Sequence, residues 1–423
     1  MRVLNLTLAA CAALALASGS RADWPTFRGA DRTGIAPDTG LLKSWPEEGP
    51  KLIWEAKGAG RGYASPAIAE GKVITLGDGP SVADDNDEYL LCFDLKLGEF
   101  LWKTKTGEAW NSGQPDWQGS RSTPTIDGDR VYVITPSGVL VCCQTADGKE
   151  LWRKDLKKEF GGDKADGWGY SESPLVDGDF VVCTPGKEKA TMVALNKKTG
   201  ETIWMASRPG DTGAGHASIA IAKVGGVKVY VTTTGAGVMG VRASDGKLLW
   251  THDFGKRITA VIPTCIIKED LVFVPVGYRH GGALFKQVPG DKDEVSVEVV
   301  YDFKSNLANK HGGVVLIGDY LYGDSDDQGV PYCAELRTGE IKWKERGPGS
   351  RSAAVAAADG CLYFRFQDGT MALIEASPES RKVLSTFKIP GSGDVPSWAH
   401  PVINDGKLYL REGDSILCYD IKG

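Results

Sequence analysis

Positive charge and histidine are both in short supply in this 423-residue chain. Lysine and arginine total 49 against 55 aspartates and glutamates, a formal net charge of -6, and there are 5 histidines. An acidic balance argues against a nucleic acid or an anionic membrane surface as partner, because both are held by clustered cations. Beyond residue 17 no apolar run approaches the ~20 residues that a membrane-spanning helix requires. There is no Cys-x-x-Cys-His run for an attached haem. No nucleophile and base stand at a recognisable spacing. No carboxylate or thiol stands at ligand-like spacing beside a histidine, so the sequence predicts no metal site.

Glycine, by contrast, is abundant at 54 residues, as many short strands joined by tight turns require. The first 22 residues read as a Sec-type secretory leader: an early Arg2, an apolar stretch from Leu4 to Ala17, then small residues ahead of Asp23. Cleavage after Ala22 is preferred and after Ala17 is second. Leu8-Ala9-Ala10-Cys11 also resembles a lipoprotein processing box, although the apolar run continues past Cys11. The expected location is therefore periplasmic or secreted, with lipid anchoring at Cys11 the lesser alternative.

One unit recurs along the rest of the chain: a glycine turn, a charged residue and a short strand ending in tryptophan. Asp147-Gly148-Lys149-Glu150-Leu151-Trp152 is one copy; others end at Trp102, Trp204, Trp250 and Trp343. With Trp54 at the head, and Tyr301 and Phe387 filling two gaps, successive marks fall 42 to 52 residues apart. A fixed period of this length is the mark of a repeat architecture. Each repeat opens near a pair such as Ser65-Pro66, Thr123-Pro124, Ser173-Pro174 or His400-Pro401 and carries four short strands. The last repeat, ending near Tyr419, lacks its fourth strand, and Lys51-Leu52-Ile53-Trp54-Glu55 is a fourth strand without the first three. Joining them predicts an all-β, eight-bladed β-propeller of four-stranded antiparallel blades, its ring closed near Trp54. The division is 1–22 leader, 23–49 an extension lying on the propeller and anchored by Trp24, Phe27 and Trp45, and 50–423 propeller.

The order Ser-Pro, Asp-Gly, Val-Tyr-Val, Thr-Gly-Glu, Trp resembles the PQQ-type propeller repeat, over about residues 50 to 421. That family includes quinoprotein alcohol dehydrogenases and BamB-like lipoproteins of outer-membrane assembly. The Trp24-Pro25-Thr26-Phe27-Arg28-Gly29 head is similar to that of exported proteins in the same family. Cys92, Cys142, Cys333 and Cys418 occupy one small-residue slot of the repeat, held elsewhere by Ala194 and Gly240, and read as buried thiols. Quinoprotein dehydrogenases carry an adjacent-cysteine ring, and Cys142-Cys143 would be its counterpart. Alternation along a strand instead points the two side chains to opposite faces.

Strand alternation sorts the connections onto two faces. First-to-second and third-to-fourth turns are mostly tight. The long segments Gly77–Glu88, Lys103–Gly119, Lys154–Gly169, Gly277–Ser296 and Gly323–Val330 are assigned to the other face, where binding is expected. Residues leading into each innermost strand should line the channel mouth: Arg61, Tyr63, Trp117, Arg121, Trp168, Tyr170, Glu172, His216, Arg257, Lys310, His311, Arg351, Trp398 and His400. Aromatic and cationic groups together suit a small planar or anionic ligand; they could equally pair with one another across a water-filled funnel. The acidic run Asp84-Asp85-Asn86-Asp87-Glu88, and Asp324, Asp326 and Asp327, read as solvated loops, since the EF-hand glycine is missing.

Three functions follow. The favoured one is an exported, non-catalytic binding or scaffold module in the cell envelope, monomeric, with a protein or envelope polymer as partner. A BamB-like assembly component is a special case of it. The third, implied by the resemblance alone, is a quinoprotein dehydrogenase with PQQ and Ca2+, for which Glu172 would be a metal carboxylate. The chain is short for that class, and no catalytic base can be placed.

Overall fold

The computed structural model describes residues 23–79, 81–82 and 85–423. The leader expected over residues 1–22, Cys11 within it, and Asp84 lie outside the described residues. Eight four-stranded antiparallel sheets form the ring predicted from the repeats, and the one α-helix among the described residues is the single turn Leu156–Phe160. Blades 1 to 7 run in chain order over 67–108, 125–155, 175–206, 220–253, 266–304, 314–344 and 353–388. Blade 8 takes Val402–Asn404, Lys407–Glu412 and Ser415–Asp420 from the end of the chain and Lys51–Lys57 from its beginning.

The recurring glycine and tryptophan belong to neighbouring blades. The turn glycine lies against the preceding blade's indole: Gly98 under Trp54, Gly148 under Trp102, Gly200 under Trp152 and Gly246 under Trp204. A Cβ at these positions would meet the rings at 2.4 to 2.9 Å, and each glycine has φ between 70° and 75°. Contact and conformation both demand glycine there. In three blades the indole N–H also bonds a carbonyl of the same neighbouring blade, from Trp152 to Lys197 at 3.2 Å, from Trp204 to Ala243 at 3.1 Å and from Trp343 to Ser377 at 2.8 Å. The phenol of Tyr301 does likewise to Leu336 at 2.9 Å. Trp250 bonds the Gln287 side chain on a strand of blade 5 instead, at 3.2 Å.

The cysteine slot has an equally local cause. Cys92, Cys142 and Cys333 pair across strands with Trp102, Trp152 and Trp343, and Gly240 pairs with Trp250. Cys418 pairs with Trp54, so the closing strand keeps the register of a continuous blade. Gly49 even supplies the glycine of the missing turn, beneath Phe387 of blade 7. All eight described cysteines are buried and free. Cys142 and Cys143 lie in separate clusters, against blades 3 and 1 respectively, as strand alternation requires. Fully buried Arg411 reinforces the seam, donating to carbonyls of Ala59, Gly60, Arg61 and Ala64 and to Thr75 Oγ1.

The extension does more than lie on the surface. Its backbone crosses the inner strands at the tight-turn end of the channel: Trp24 bridges Ile68, Pro25 accepts from Ile126, and Ile35 bridges Ala357. Buried Arg32 donates to Ser173 and Pro174, and Arg28 to Val314. These contacts satisfy strand edges that a hollow axis would leave to water. Three loop readings also change. Gly281–Pro289 is a strand, so only 277–280 of the fourth long segment faces the mouth, and the 290–294 turn lies on the tight-turn face. Glu88 is not solvated; it is fully buried, accepting from Thr106 and Ser120 at 2.9 and 2.7 Å, because the strand carries it under the loop that leads into the neighbouring blade. Asp324 is also buried, where it accepts from Ala353 N at 3.2 Å.

Two expectations follow. Trp54→Ala removes the indole that joins blade 8 to blade 1 and should destabilise the fold by about 3–5 kcal/mol, read from denaturant unfolding. Burial pushes the Glu88 carboxyl from its usual 4.5 up to about 8, so the native state holds a proton that the unfolded chain releases. Its effect is to lower stability as the pH rises from about 4.5 through 8. Glu88→Gln should flatten the pH dependence of the melting temperature in that interval.

Candidate functional site

The channel opens on the long-loop face into a cavity of about 210 Å³. Nine of the fourteen sequence-derived residues line it: Tyr63, Trp117, Arg121, Trp168, His216, Lys310, His311, Trp398 and His400. Arg257 and Arg351 are exposed and line adjoining depressions on the same face. Arg61 stands behind the wall, tied to buried Asp78 at 2.7 Å. Tyr170 and Glu172 are not at the mouth. Tyr170 is fully buried between blades with its hydroxyl on Pro185 at 2.8 Å, and the Glu172 carboxylate accepts from Thr184 N at 2.8 Å. The extended lead to each inner strand turns alternate residues inward and outward, and these two take the outward positions.

Sequence reasoning missed the floor. Phe27 and Arg28 reach it from the extension, Phe27 meeting the His400 ring edge-on at 4.9 Å. It also missed the lower wall, where Ser65, Thr123, Ser173, Ser218 and Thr264 recur at the start of successive blades. The hydroxyls of Ser65, Ser173, Ser218 and Thr264 accept backbone N–H groups of adjacent blades: His400 to Ser65 at 2.8 Å, Thr123 to Ser173 at 3.1 Å, Ser173 to Ser218 at 3.1 Å and Ser218 to Thr264 at 3.2 Å. The Ser-Pro and Thr-Pro pairs of the repeat are thus the cross-blade ties of the inner ring.

Above that ring the wall is aromatic. Tyr63 packs on Trp398 at 4.7 Å, Trp117 on Trp168 at 5.2 Å, and His311 on Trp398 at 5.2 Å. Arg121 donates to the carbonyls of Trp117 and Trp168, which fixes the second pair. Lys310 is engaged by Asp327 at 2.9 Å. Burial pushes His311 down to about 4 and His400 to about 3, so both are neutral at pH 7.

The structure also brings together three groups that sequence spacing had not connected. His216 Nδ1 lies 2.6 Å from Ser171 Oγ, and its Nε2 lies 2.9 Å from Asp166 Oδ2. The separations are 45 and 50 residues, one repeat length each, which places the groups at the inner ends of adjacent blades. That repeat-length separation is the signal that would have found them. Asp166 is delivered by backbone pairing between the segments that lead into blades 3 and 4: Ala165 N bonds Ala214 O at 3.1 Å and Ala214 N bonds Asp163 O at 2.8 Å. Gly213, at φ 140°, permits the approach, since a Cβ there would meet Ala165 N at 2.5 Å.

Residues 86–345 match the family model described as outer membrane protein assembly factor BamB. A search of curated protein sequences gives no match. Among solved structures, BamB from Moraxella catarrhalis is similar at TM-score 0.59 and 14% identity, covering 88% of this chain and 98% of that one. A europium-containing methanol dehydrogenase gives TM-score 0.66 at 12% identity, covering 93% and 89%. The quinohemoprotein alcohol dehydrogenase from Comamonas testosteroni gives 0.63 at 12%, covering 96% and 82%. At these identities the structural likeness is one of fold.

Gly213→Ala should push the 164–166 segment off the neighbouring one and separate Asp166 from His216. The expected outcome is faster amide exchange at Ala165 and Ala214, with the bulk of the ring unchanged. Unaltered exchange at both would refute this role of Gly213.

Proposed function

The chain belongs to the family of the outer membrane protein assembly factor BamB, and from that premise we propose that it is a binding or scaffold propeller of the cell envelope. Its partner is a protein, or an envelope polymer, that docks on the long-loop face. The observation that carries this reading is the blind aromatic funnel. It is open on one face, walled by Tyr63, Trp117, Trp168 and Trp398, and floored by Phe27 and Arg28 of the chain's own extension. Aromatic walls with a fixed geometry offer large apolar area at little entropic cost, as interface anchors do. Export rests on the leader read from residues 1–22. An assembly role like that of BamB is the narrower form of the proposal, favoured by the match over 86–345.

A quinoprotein dehydrogenase is the second reading, and the donor set speaks against it. A quinone held with a divalent ion needs carboxylates free to ligate it. Asp166 is engaged by His216, Asp327 by Lys310, and Glu172 by Thr184. Among the described residues no three histidine, cysteine or carboxylate groups converge as a metal site. These residues do not fit PQQ with calcium.

The test is affinity capture from envelope extracts by the purified protein and by a Trp117→Ala/Trp168→Ala variant of equal melting temperature. Loss of the specific partner by about tenfold or more is expected from removing two anchors. Equal capture by both would overturn the placement of the face. Calcium-dependent PQQ binding with dye-linked alcohol oxidation would overturn the binding reading itself.

A further inference from the structure

The Ser171–His216–Asp166 relay lies in the wall of the funnel, where Ser171 and His216 both line the cavity. Its proton positions follow from charge. Burial, with the positive charges of Lys164 and Arg121, pushes the His216 imidazole down to about 4. Burial opposes ionisation of Asp166, but its hydrogen bond to His216 and the charges of His216 and Lys164 bring it down to about 2. At pH 7 the ring is neutral and the carboxylate anionic. An ionised carboxylate only accepts, so His216 donates Nε2–H to Asp166. That leaves the Nδ1 lone pair facing the Ser171 hydroxyl, the arrangement that activates a serine nucleophile. Relative to the serine-protease relay, the two ring nitrogens have exchanged roles.

We propose that this relay makes the axial funnel an acyl-transfer site acting on small carboxylic esters. The Ser171 Oγ attacks the ester carbonyl carbon as its proton passes to His216 Nδ1. The carbon–oxygen bond to the alcohol then breaks, and the alcohol leaves with that proton. Water, the second substrate, attacks the acyl-serine, gives a proton to Nδ1 and releases the acid as Ser171 regains its hydrogen. Electrons and atoms balance with no redox partner. The positive charge of Arg121, which lines the same wall, favours the oxyanion that develops. The cavity of about 210 Å³ and its indole walls select a flat or short apolar acyl group. Asp166 is a positioning residue here, while Ser171 and His216 are catalytic.

The molecule holds its own comparison. Ser352 Oγ lies 2.8 Å from His311 Nε2, a second serine–histidine pair on the same channel. Among the described residues no carboxylate hydrogen-bonds His311, and Ser352 is buried. Ser352 should therefore be inert where Ser171 is reactive.

The proposal goes beyond the binding reading and fails separately from it, since partner capture and serine reactivity are measured independently. The purified chain is treated with a fluorophosphonate, which forms an Oγ–phosphorus bond as fluoride leaves, and the adduct is located by peptide mass spectrometry. One adduct is expected, at Ser171 and not at Ser352. Hydrolysis of p-nitrophenyl acetate should be abolished by Ser171→Ala. In Asp166→Asn, kcat should fall on the order of 10²-fold or more with KM held. Absence of an adduct at Ser171 in the folded wild-type protein would overturn the proposal. So would equal labelling rates for wild type and Asp166→Asn.

Discussion

At four of the eight interfaces an indole rests on the next blade's turn glycine, with Tyr301 over Gly339 and Phe387 over Gly49 at two more, and the geometry of the ring follows from that contact. It couples two places in the sequence about one repeat apart, Trp102 with Gly148 and Trp152 with Gly200 among them. Neither partner tolerates change easily. The glycine has positive φ and no room for a Cβ, and the ring buries a large apolar area that no smaller residue would replace. Blade 8 satisfies the rule only by recruiting the front of the chain, with Trp54 over Gly98 and Gly49 beneath Phe387. Closure is therefore an instance of the interblade contact, to which Arg411 adds a polar clamp.

The same contact decides where variation is possible. On the tight-turn face the third-to-fourth turns are mostly held by the neighbouring aromatic. The axis there is crossed by the extension, whose backbone completes inner-strand edges. The opposite face has neither constraint. There a Ser or Thr at the start of the inner strand ties blades 1, 3, 4 and 5 to a neighbour, and above that level the chain is free to place what it will. The aromatic pairs, the cations and the Asp166 segment all occur there.

The ring was legible because its causes are local and repeated: a glycine turn, a tryptophan, a small residue facing that tryptophan across two strands. Even the seam could be read, since an orphan fourth strand and an incomplete last repeat imply each other. Nine wall residues were legible for the same reason, as the positions leading into the inner strands recur with the period. The floor was not, because Phe27 and Arg28 arrive from outside the repeat and nothing in the period says where an extension goes. Tyr170 and Glu172 failed on parity: a shift of one residue along an extended segment exchanges wall for core. Glu88 and Asp324 looked solvated because charge in a long loop usually is. Each is buried because its second-to-third connection folds beneath the start of the following blade, where serine, threonine and backbone N–H groups receive it.

Pairing between the inner ends of adjacent blades has a further consequence for how a propeller acquires chemistry. In a repeat ring, residues one period apart in sequence sit side by side at the axis. A nucleophile, a base and a carboxylate can therefore be assembled without any local motif. Ser171, His216 and Asp166 are drawn from the segments that lead into two consecutive blades, and the backbone pairing at Ala165 and Ala214 that aligns them is itself a tie between those blades. Inspection for local spacing overlooks such a set by construction, whereas folding the sequence at its own period brings it into view. His311 and Ser352, also about one period apart, show that the ring generates such pairs readily. What distinguishes the Ser171 set is the buried carboxylate behind the imidazole and a hydroxyl that faces the cavity. Those two features turn a structural hydrogen bond into a candidate for chemistry.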